Sequence, residues 1–156
     1  MPRVTATFKL STNLVVCFIA GISMGNYGAF RWGLVESKRF RGLGVISGAV
    51  NCFNFPTAIL ETLPPYRELI NQQNTIPVDL DDLLTPELTL SVYIACGIQD
   101  DFYVDNQALV AKLTAIGQTP IFVTENIGHD WSFCDHQLQQ VLHRFLNERI
   151  GTANAN

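Results

Sequence analysis

The chain carries four short apolar runs that end close to a Gly or a polar residue. They occupy positions 13–20, 42–47, 90–96 and 120–124. Runs of this length, rich in Val, Ile, Leu and Phe without strictly alternating polar positions, are typical of strands buried on both faces of a parallel sheet. We therefore predict a β-strand at each of the four positions.

Three further segments have the composition or the spacing of helices. Positions 23–34 switch to small residues and aromatics, although their three glycines lower the helix propensity unless the helix packs closely on a sheet. Positions 106–116 and 135–149 place apolar residues three and four apart, as amphipathic helices do. The stripe predicted to be buried in the last helix consists of Leu138, Val141, Leu142, Phe145 and Leu146.

The order of these elements predicts an α/β fold with a mainly parallel sheet flanked by helices. A length of 156 residues suits one domain, which we assign to positions 1–150, followed by a flexible tail at 151–156. Positions 53–87 contain five prolines and are predicted to form an irregular excursion from the sheet. Such a segment can build a substrate pocket or serve as a plain surface connection, and both interpretations stay open.

The pentapeptide Gly21-Ile22-Ser23-Met24-Gly25 follows the first predicted strand and opens the first predicted helix. Gly-x-Ser-x-Gly in this context is the pattern of a nucleophile elbow, a strand-to-helix turn that exposes a Ser hydroxyl. We expect both glycines to be needed, because a side chain at either would collide with neighbouring backbone, and we expect strain at Ser23. The alternative is an ordinary turn in which Ser23 only caps the helix.

A Ser nucleophile needs a base, and the chain has three histidines. His136 and His143 lie opposite the apolar stripe of the last helix and should face water. His129 lies between the last strand and that helix, where open α/β sheets place their functional loops. His129 is therefore the candidate base, the alternative being a loop His that caps the helix or packs on Trp131.

An orienting carboxylate is expected at the end of the third strand, which gives the chain order Ser, Asp, His of α/β-hydrolases. Spacing alone does not separate Asp100 from Asp101. Asp105 would more naturally cap the helix predicted to begin at 106. Asp130 is too close to His129 in the chain to orient its ring.

Several stretches together resemble the esterase family of α/β-hydrolases that includes tributyrin esterases, S-formylglutathione hydrolases and mycolyltransferases. They are positions 18–25, 27–29, 47–49, 96–100 and 128–131. The resemblance implies hydrolysis of short-chain acyl esters through an acyl-enzyme, with no cofactor or metal. It assigns the acid to Asp100 rather than Asp101, beside Ser23 and His129, and gives the Met24 N–H to the oxyanion hole.

The sequence departs from that family in three places. Asn26 stands where another Gly is usual, and Cys134 stands where an aromatic residue is common. Family members also carry an upstream half with the first strands and a second oxyanion donor, which positions 1–10 cannot supply. The chain then resembles a fold truncated at its N-terminus. The strand at 13–20 would lie at a sheet edge, which invites association. Three interpretations stay open: the chain is a fragment, it forms a homo-oligomer through that edge, or it folds poorly alone.

Composition narrows the function classes. The net charge of −4 offers no basic face for nucleic acid, and no apolar run is long enough to span a membrane. No signal peptide is apparent and the four scattered cysteines suit free thiols, so a cytoplasmic location is expected. Thiol chemistry at Cys96 is disfavoured, because the residue lies within a predicted strand.

We therefore predict a serine carboxylesterase that acts on small-molecule esters. Two alternatives stay open. The first is a thioesterase of the S-formylglutathione hydrolase kind, which uses the same machinery. The second is a truncated, inactive relative that serves as a binding or assembly module.

Overall fold

The computed structural model describes residues 17–50 and 83–153, the positions from 148 onward as backbone only. The strands are β1 (Phe18–Ile22), β2 (Gly42–Ile46), β3 (Ser91–Gly97) and β4 (Ile121–Glu125). The helices are α1 (Met24–Val35), α2 (Tyr103–Ala115) and α3 (Trp131–Ala153), and a 3-10 turn at Ser37–Arg39 follows α1. Each strand and α-helix overlaps the segment where the sequence predicts it, with ends that differ by up to five residues.

The four strands form one parallel sheet in the order β1-β2-β3-β4. Consecutive strands are neighbours, and each connection that the structure describes passes through a helix. All the carboxyl ends therefore meet at one edge, where Ile22 pairs with Ile46, and Ile46 with Ala95. The predicted α/β fold is confirmed, and the loops at this edge carry the candidate residues.

Helices α1 and α2 cover one face of the sheet. Phe30 and Leu34 of α1 and Leu109 and Leu113 of α2 are buried in one cluster with the strand residues beneath them. A Cβ on Gly33 would lie 3.2 Å from side chains of both Ile19 and Leu43, so α1 does approach the sheet closely at this point. Close packing of this kind offsets the low helix propensity of glycine.

Helix α3 covers the other face. Its Phe145 ring stacks on Phe18 at 4.7 Å, and a Cβ on Gly44 would lie 2.9 Å from Val141. These contacts fix the rotation of the helix, so Leu142 and Leu146, about 100° further round, are about half exposed. The predicted buried stripe is wrong for those two residues. The buried face consists of Phe133, Cys134, Gln137, Val141 and Phe145.

Three other predictions need correction. Helix α2 begins at Tyr103, so Asp105 lies inside its first turn and does not cap it. Strand β1 is half-buried rather than buried on both faces, because it lies at one side of the described sheet. Helix α3 runs past 149 to Ala153. Positions 13–16, 154–156 and most of the 53–87 excursion lie outside the described residues.

Within the described ranges, no helix has both the length and the apolar character needed to cross a membrane.

Candidate active site

Ser23 alone separates β1 from α1, and its backbone is strained. Its φ of 53° and ψ of −128° lie where residues with a side chain are rarely found. Three hydrogen bonds hold it there. The Ser23 N–H donates to Ile46 O at 3.0 Å, and the Ser23 carbonyl accepts from the N–H groups of Asn26 at 3.1 Å and Ala49 at 3.2 Å. The turn thus projects the side chain from the carboxyl edge of the sheet.

The two glycines of the pentapeptide have different roles. A Cβ on Gly21 would lie 2.4 Å from Asn26 Cα and 2.7 Å from Gly25 O, so only Gly fits there without moving the backbone. A Cβ on Gly25 would meet nothing within 4 Å among the described residues. The expectation that both glycines are needed is therefore wrong for Gly25, which lies on an open surface of α1.

The structure brings Ser23, His129 and Asp100 into one hydrogen-bonded row. Ser23 Oγ lies 3.0 Å from His129 Nε2, and His129 Nδ1 lies 2.8 Å from Asp100 Oδ2. The Asp100 side chain is fully buried, and its second oxygen accepts the Phe102 N–H at 3.0 Å. Asp101 is exposed. The geometry suits the neutral tautomer in which Nδ1–H donates to Asp100 and Nε2 accepts the Ser23 O–H.

Charge and hydrogen bonding at this row favour an ionised acid beside a basic imidazole. Burial raises the pKa of Asp100, but the hydrogen bonds from His129 and from the Phe102 N–H outweigh it, and the net pKa lies below its ordinary value. The hydrogen bond to Asp100 raises the pKa of His129 above its ordinary value, against a smaller opposing effect of burial. Such a pair accepts a proton from a neighbouring hydroxyl and holds the resulting cation.

Met24 is the first residue of α1, and its N–H is one of the helix's first-turn amides that have no intrahelical acceptor. The positive end of the helix dipole adds to the attraction of a negative charge beside Ser23.

His136 and His143 are exposed on α3, as predicted. No group of three or more His, Cys, Asp or Glu side chains in the described ranges could hold a metal ion.

The segment Ser47-Gly48-Ala49, for which no function was predicted, connects the turn at Ser23 with the loop that carries Asp100. Ser47 is buried with a φ of 42°, and its hydroxyl lies by the Asp100 carboxyl. Asn106 Nδ2 donates to the carbonyls of Gly48 and Phe102, both at 2.8 Å. The sequence did mark this segment, because positions 47–49 are one of the stretches that carry the family resemblance.

Asn26, where the family has a Gly, is fully buried behind Ser23. Its amide fills the space beside Gly48, where an added Cβ would lie 2.3 Å from Asn26 Nδ2. Neither amide atom finds a hydrogen-bond partner in the part of the chain that the structure describes. The Asn26 side chain therefore fills the space behind the turn, whereas the Ser23 hydroxyl lies on the opposite side of the turn.

A cavity of about 90 Å³ opens directly beside the nucleophile position. Its lining consists of Ile22, Ser23, His129, Asp130, Trp131 and Cys134. A larger depression of about 370 Å³ is lined by Tyr93 and residues of α3, and none of the row lines it. The smaller cavity is the one that the candidate chemistry can use.

Comparison with known proteins gives one curated relative and a group of similar structures. The chain is 30% identical over 132 residues to an acetyl esterase of Caldicellulosiruptor saccharolyticus, covering 74% of this chain and 49% of that protein. It superposes on a ferulic acid esterase with a TM-score of 0.68 at 20% identity, over 93% of this chain and 56% of the other. For an S-formylglutathione hydrolase of Staphylococcus aureus the TM-score is 0.65 at 24% identity, over 92% and 56%.

No family model matches the chain. The chain spans about half the length of the curated relative that it matches. The two structural similarities lie below 25% identity and concern the fold.

Proposed function

We propose that this chain, which is similar to an acetyl esterase in sequence and to α/β-hydrolase esterases in fold, hydrolyses short-chain carboxylic esters with Ser23 as nucleophile. The observation that carries the proposal is the row of hydrogen bonds from Ser23 through His129 to the buried Asp100, at 3.0 and 2.8 Å. A Ser hydroxyl held this close to a base that a carboxylate orients is the arrangement that acyl transfer needs.

In the first step His129 Nε2 removes the proton of Ser23 as Oγ forms a bond to the ester carbonyl carbon. The carbonyl π electrons move to oxygen, and the Met24 N–H donates to this oxyanion. Asp100 stays ionised and stabilises the imidazolium that forms. The lowered pKa of Asp100 and the raised pKa of His129 both support these roles.

In the second step the bond between carbon and the leaving oxygen breaks, and His129 gives its proton to that oxygen. The alcohol departs, and the acyl group remains on Ser23 as an ester. Water then repeats both steps, with His129 as base and afterwards as acid. The bond from the acyl carbon to Ser23 Oγ breaks, His129 returns the proton to Oγ and the free acid departs, so Ser23 is regenerated; neither a metal nor an organic cofactor takes part in the proposed reaction.

A short acyl group is favoured by two observations. The relative in Caldicellulosiruptor saccharolyticus is an acetyl esterase. The cavity beside Ser23, at about 90 Å³, has room for only a few heavy atoms.

The full chain should hydrolyse p-nitrophenyl acetate and be labelled by a fluorophosphonate probe, and Ser23→Ala should lose both. Ser37→Ala, in the 3-10 turn outside the row, is the matched control and should keep both. Folded protein that is neither labelled nor active would contradict the proposal and favour the inactive relative. A glutathione thioester hydrolysed faster than every oxygen ester would favour the thioesterase.

A further inference from the structure

We propose that the cavity beside Ser23 is the acyl pocket of the enzyme and that Cys134 and Trp131 set the length of the acyl chain it accepts. The inference rests on the proposed function and adds the residues that select the substrate. The class it assigns is an unbranched, uncharged acyl group from acetyl to about butyryl.

The position of the cavity relative to Ser23 suits an acyl chain. Met24, whose N–H is the candidate oxyanion donor, begins α1 on one face of the sheet, whereas Ile22 and Cys134 belong to the apolar cluster on the opposite face, under α3. His129 Nε2 marks the place of the leaving oxygen. The remaining substituent of the tetrahedral carbon, the acyl chain, is then directed towards the face of α3.

The size of the cavity limits the chain. A volume of about 90 Å³ corresponds to roughly three water molecules at about 30 Å³ each. An acetyl or propionyl group has three or four heavy atoms, of which the carbonyl carbon and oxygen stay at Ser23. A butyryl group would place three carbons in the cavity and just fill it, so a longer chain would need the walls to move.

The walls of the cavity are uncharged, and its rim carries the negative charge of Asp130. The thiol of Cys134 is buried, which raises its pKa, so it is uncharged at neutral pH beside the apolar side chains of Ile22 and Trp131. At the rim, Ser132 donates to the Asp130 carboxylate from its N–H at 2.7 Å and from its hydroxyl, and holds the pKa of Asp130 below its ordinary value. An acyl group with its own carboxylate would lose hydration and meet this charge.

Two wall residues can be altered with different structural risk. Cys134 is buried, so a larger side chain at this position would fill the cavity from the core side. The Trp131 side chain is 80% exposed, so its removal opens the cavity at little cost in packing. Trp131→Ala therefore stays informative even if Cys134→Phe fails to fold.

The test measures kcat/KM of the full chain for p-nitrophenyl acetate, butyrate and hexanoate. Cys134→Phe should lower the ratio of butyrate to acetate about tenfold, because one methylene in a tight apolar pocket is worth at least that factor. Cys134→Ala and Trp131→Ala should raise the ratio of kcat/KM for p-nitrophenyl hexanoate to that for the acetate severalfold. The control is Val141→Ala. Val141 belongs to the same apolar cluster as Cys134 but does not line the cavity, so this variant should leave both ratios unchanged.

Three outcomes would overturn the inference. If Ser23 is labelled by a fluorophosphonate and all folded variants keep the wild-type ratios, the cavity does not bind the acyl chain. If the variants instead change the preference between methyl and butyl acetate, the cavity holds the alcohol. If Ser23 is not labelled and no ester is hydrolysed, the proposed function fails and the pocket assignment fails with it.

Discussion

The turn from β1 into α1 and the turn from β3 into α2 each present a polar side chain at the same edge of the sheet, but they hold it differently. In the first, Ser23 alone joins strand to helix, with a φ of 53°. In the second, five residues at 98–102 make the connection, and Asp100 accepts the Phe102 N–H. The first side chain is aimed by backbone conformation and the second by hydrogen bonds.

This difference predicts how the site responds to substitutions at each turn. In the first turn the backbone is strained and closely packed, so an added Cβ that does not fit displaces the whole turn rather than one side chain. A side chain held by several hydrogen bonds can lose one of them and keep most of its orientation. We therefore expect abrupt effects at the first turn and graded structural effects at the second.

Asp100→Asn should have the largest effect, about 10⁴-fold on kcat, because the amide favours the wrong imidazole tautomer and cannot stabilise the imidazolium. The turn itself should remain folded. The matched control is Asp101→Asn, exposed and one residue away, which should change kcat by less than about threefold. Steady-state kinetics with p-nitrophenyl acetate checks both. Equal losses in the two variants would show that the charge of the loop, rather than the carboxylate on His129, matters.

Gly21→Ala should lower kcat/KM by at least about a hundredfold, since misplacing a nucleophile by about 1 Å costs that much. The added Cβ would lie 2.4 Å from Asn26 Cα, so Tm should fall as well. Gly25→Ala carries the same chemical change into open space and should keep activity and stability. Similar losses in both variants would contradict the distinction drawn between the two glycines.

Asn106→Leu tests whether a substitution at the second turn has a graded effect. Losing the bonds from Nδ2 to Gly48 and Phe102 should lower the free energy of unfolding by about 1–3 kcal/mol, because their buried carbonyls lose a donor. The activity of the folded protein should fall by only about tenfold. Denaturant unfolding and kinetics measure the two effects, with Gln107→Leu, exposed on the same helix, as control. Complete loss of activity in folded protein would place Asn106 among the residues that the reaction cannot do without.

The smallest expected effect is a shift of the pH profile. The hydrogen bond to Asp100 raises the pKa of His129, and only neutral His129 can accept the Ser23 proton, so kcat/KM should rise with pH through a midpoint above about 6.5. In Asp100→Asn the midpoint of the residual activity should move to lower pH. A midpoint that is unchanged between the two proteins would show that Asp100 does not hold the imidazolium.

The parts of the molecule that sequence reasoning anticipated depend on local pattern. Apolar runs marked the strands, and the order of the loops that follow them brought Ser23, Asp100 and His129 to one edge. The choice of Asp100 over Asp101 came from the family resemblance, and the structure places Asp100 on the imidazole at 2.8 Å. These features needed no knowledge of which distant residues touch.

What sequence reasoning missed depends on contacts between distant segments. Gly25 is dispensable in packing because α1 turns it towards open space, whereas Gly21 faces the helix backbone. Leu142 and Leu146 are exposed because Phe145 stacks on Phe18, more than a hundred residues earlier, and sets the rotation of α3. The role of Ser47-Gly48-Ala49 appears only when the loops of Ser23 and Asp100 are both in place.

The positive φ values of Ser23 and Ser47 have a consequence for how the fold opens. Each conformation costs about 1–3 kcal/mol that the surrounding contacts must supply. Both lie at the carboxyl edge, so local opening should begin there and spare the strand centres, and the amides of Ser23 and Ala49 should exchange with solvent before those of Val45 and Ile94. The edge that presents the Ser23 hydroxyl is then the first to open, so the backbone conformation that the proposed activity needs at Ser23 is also one that lowers the stability of the fold.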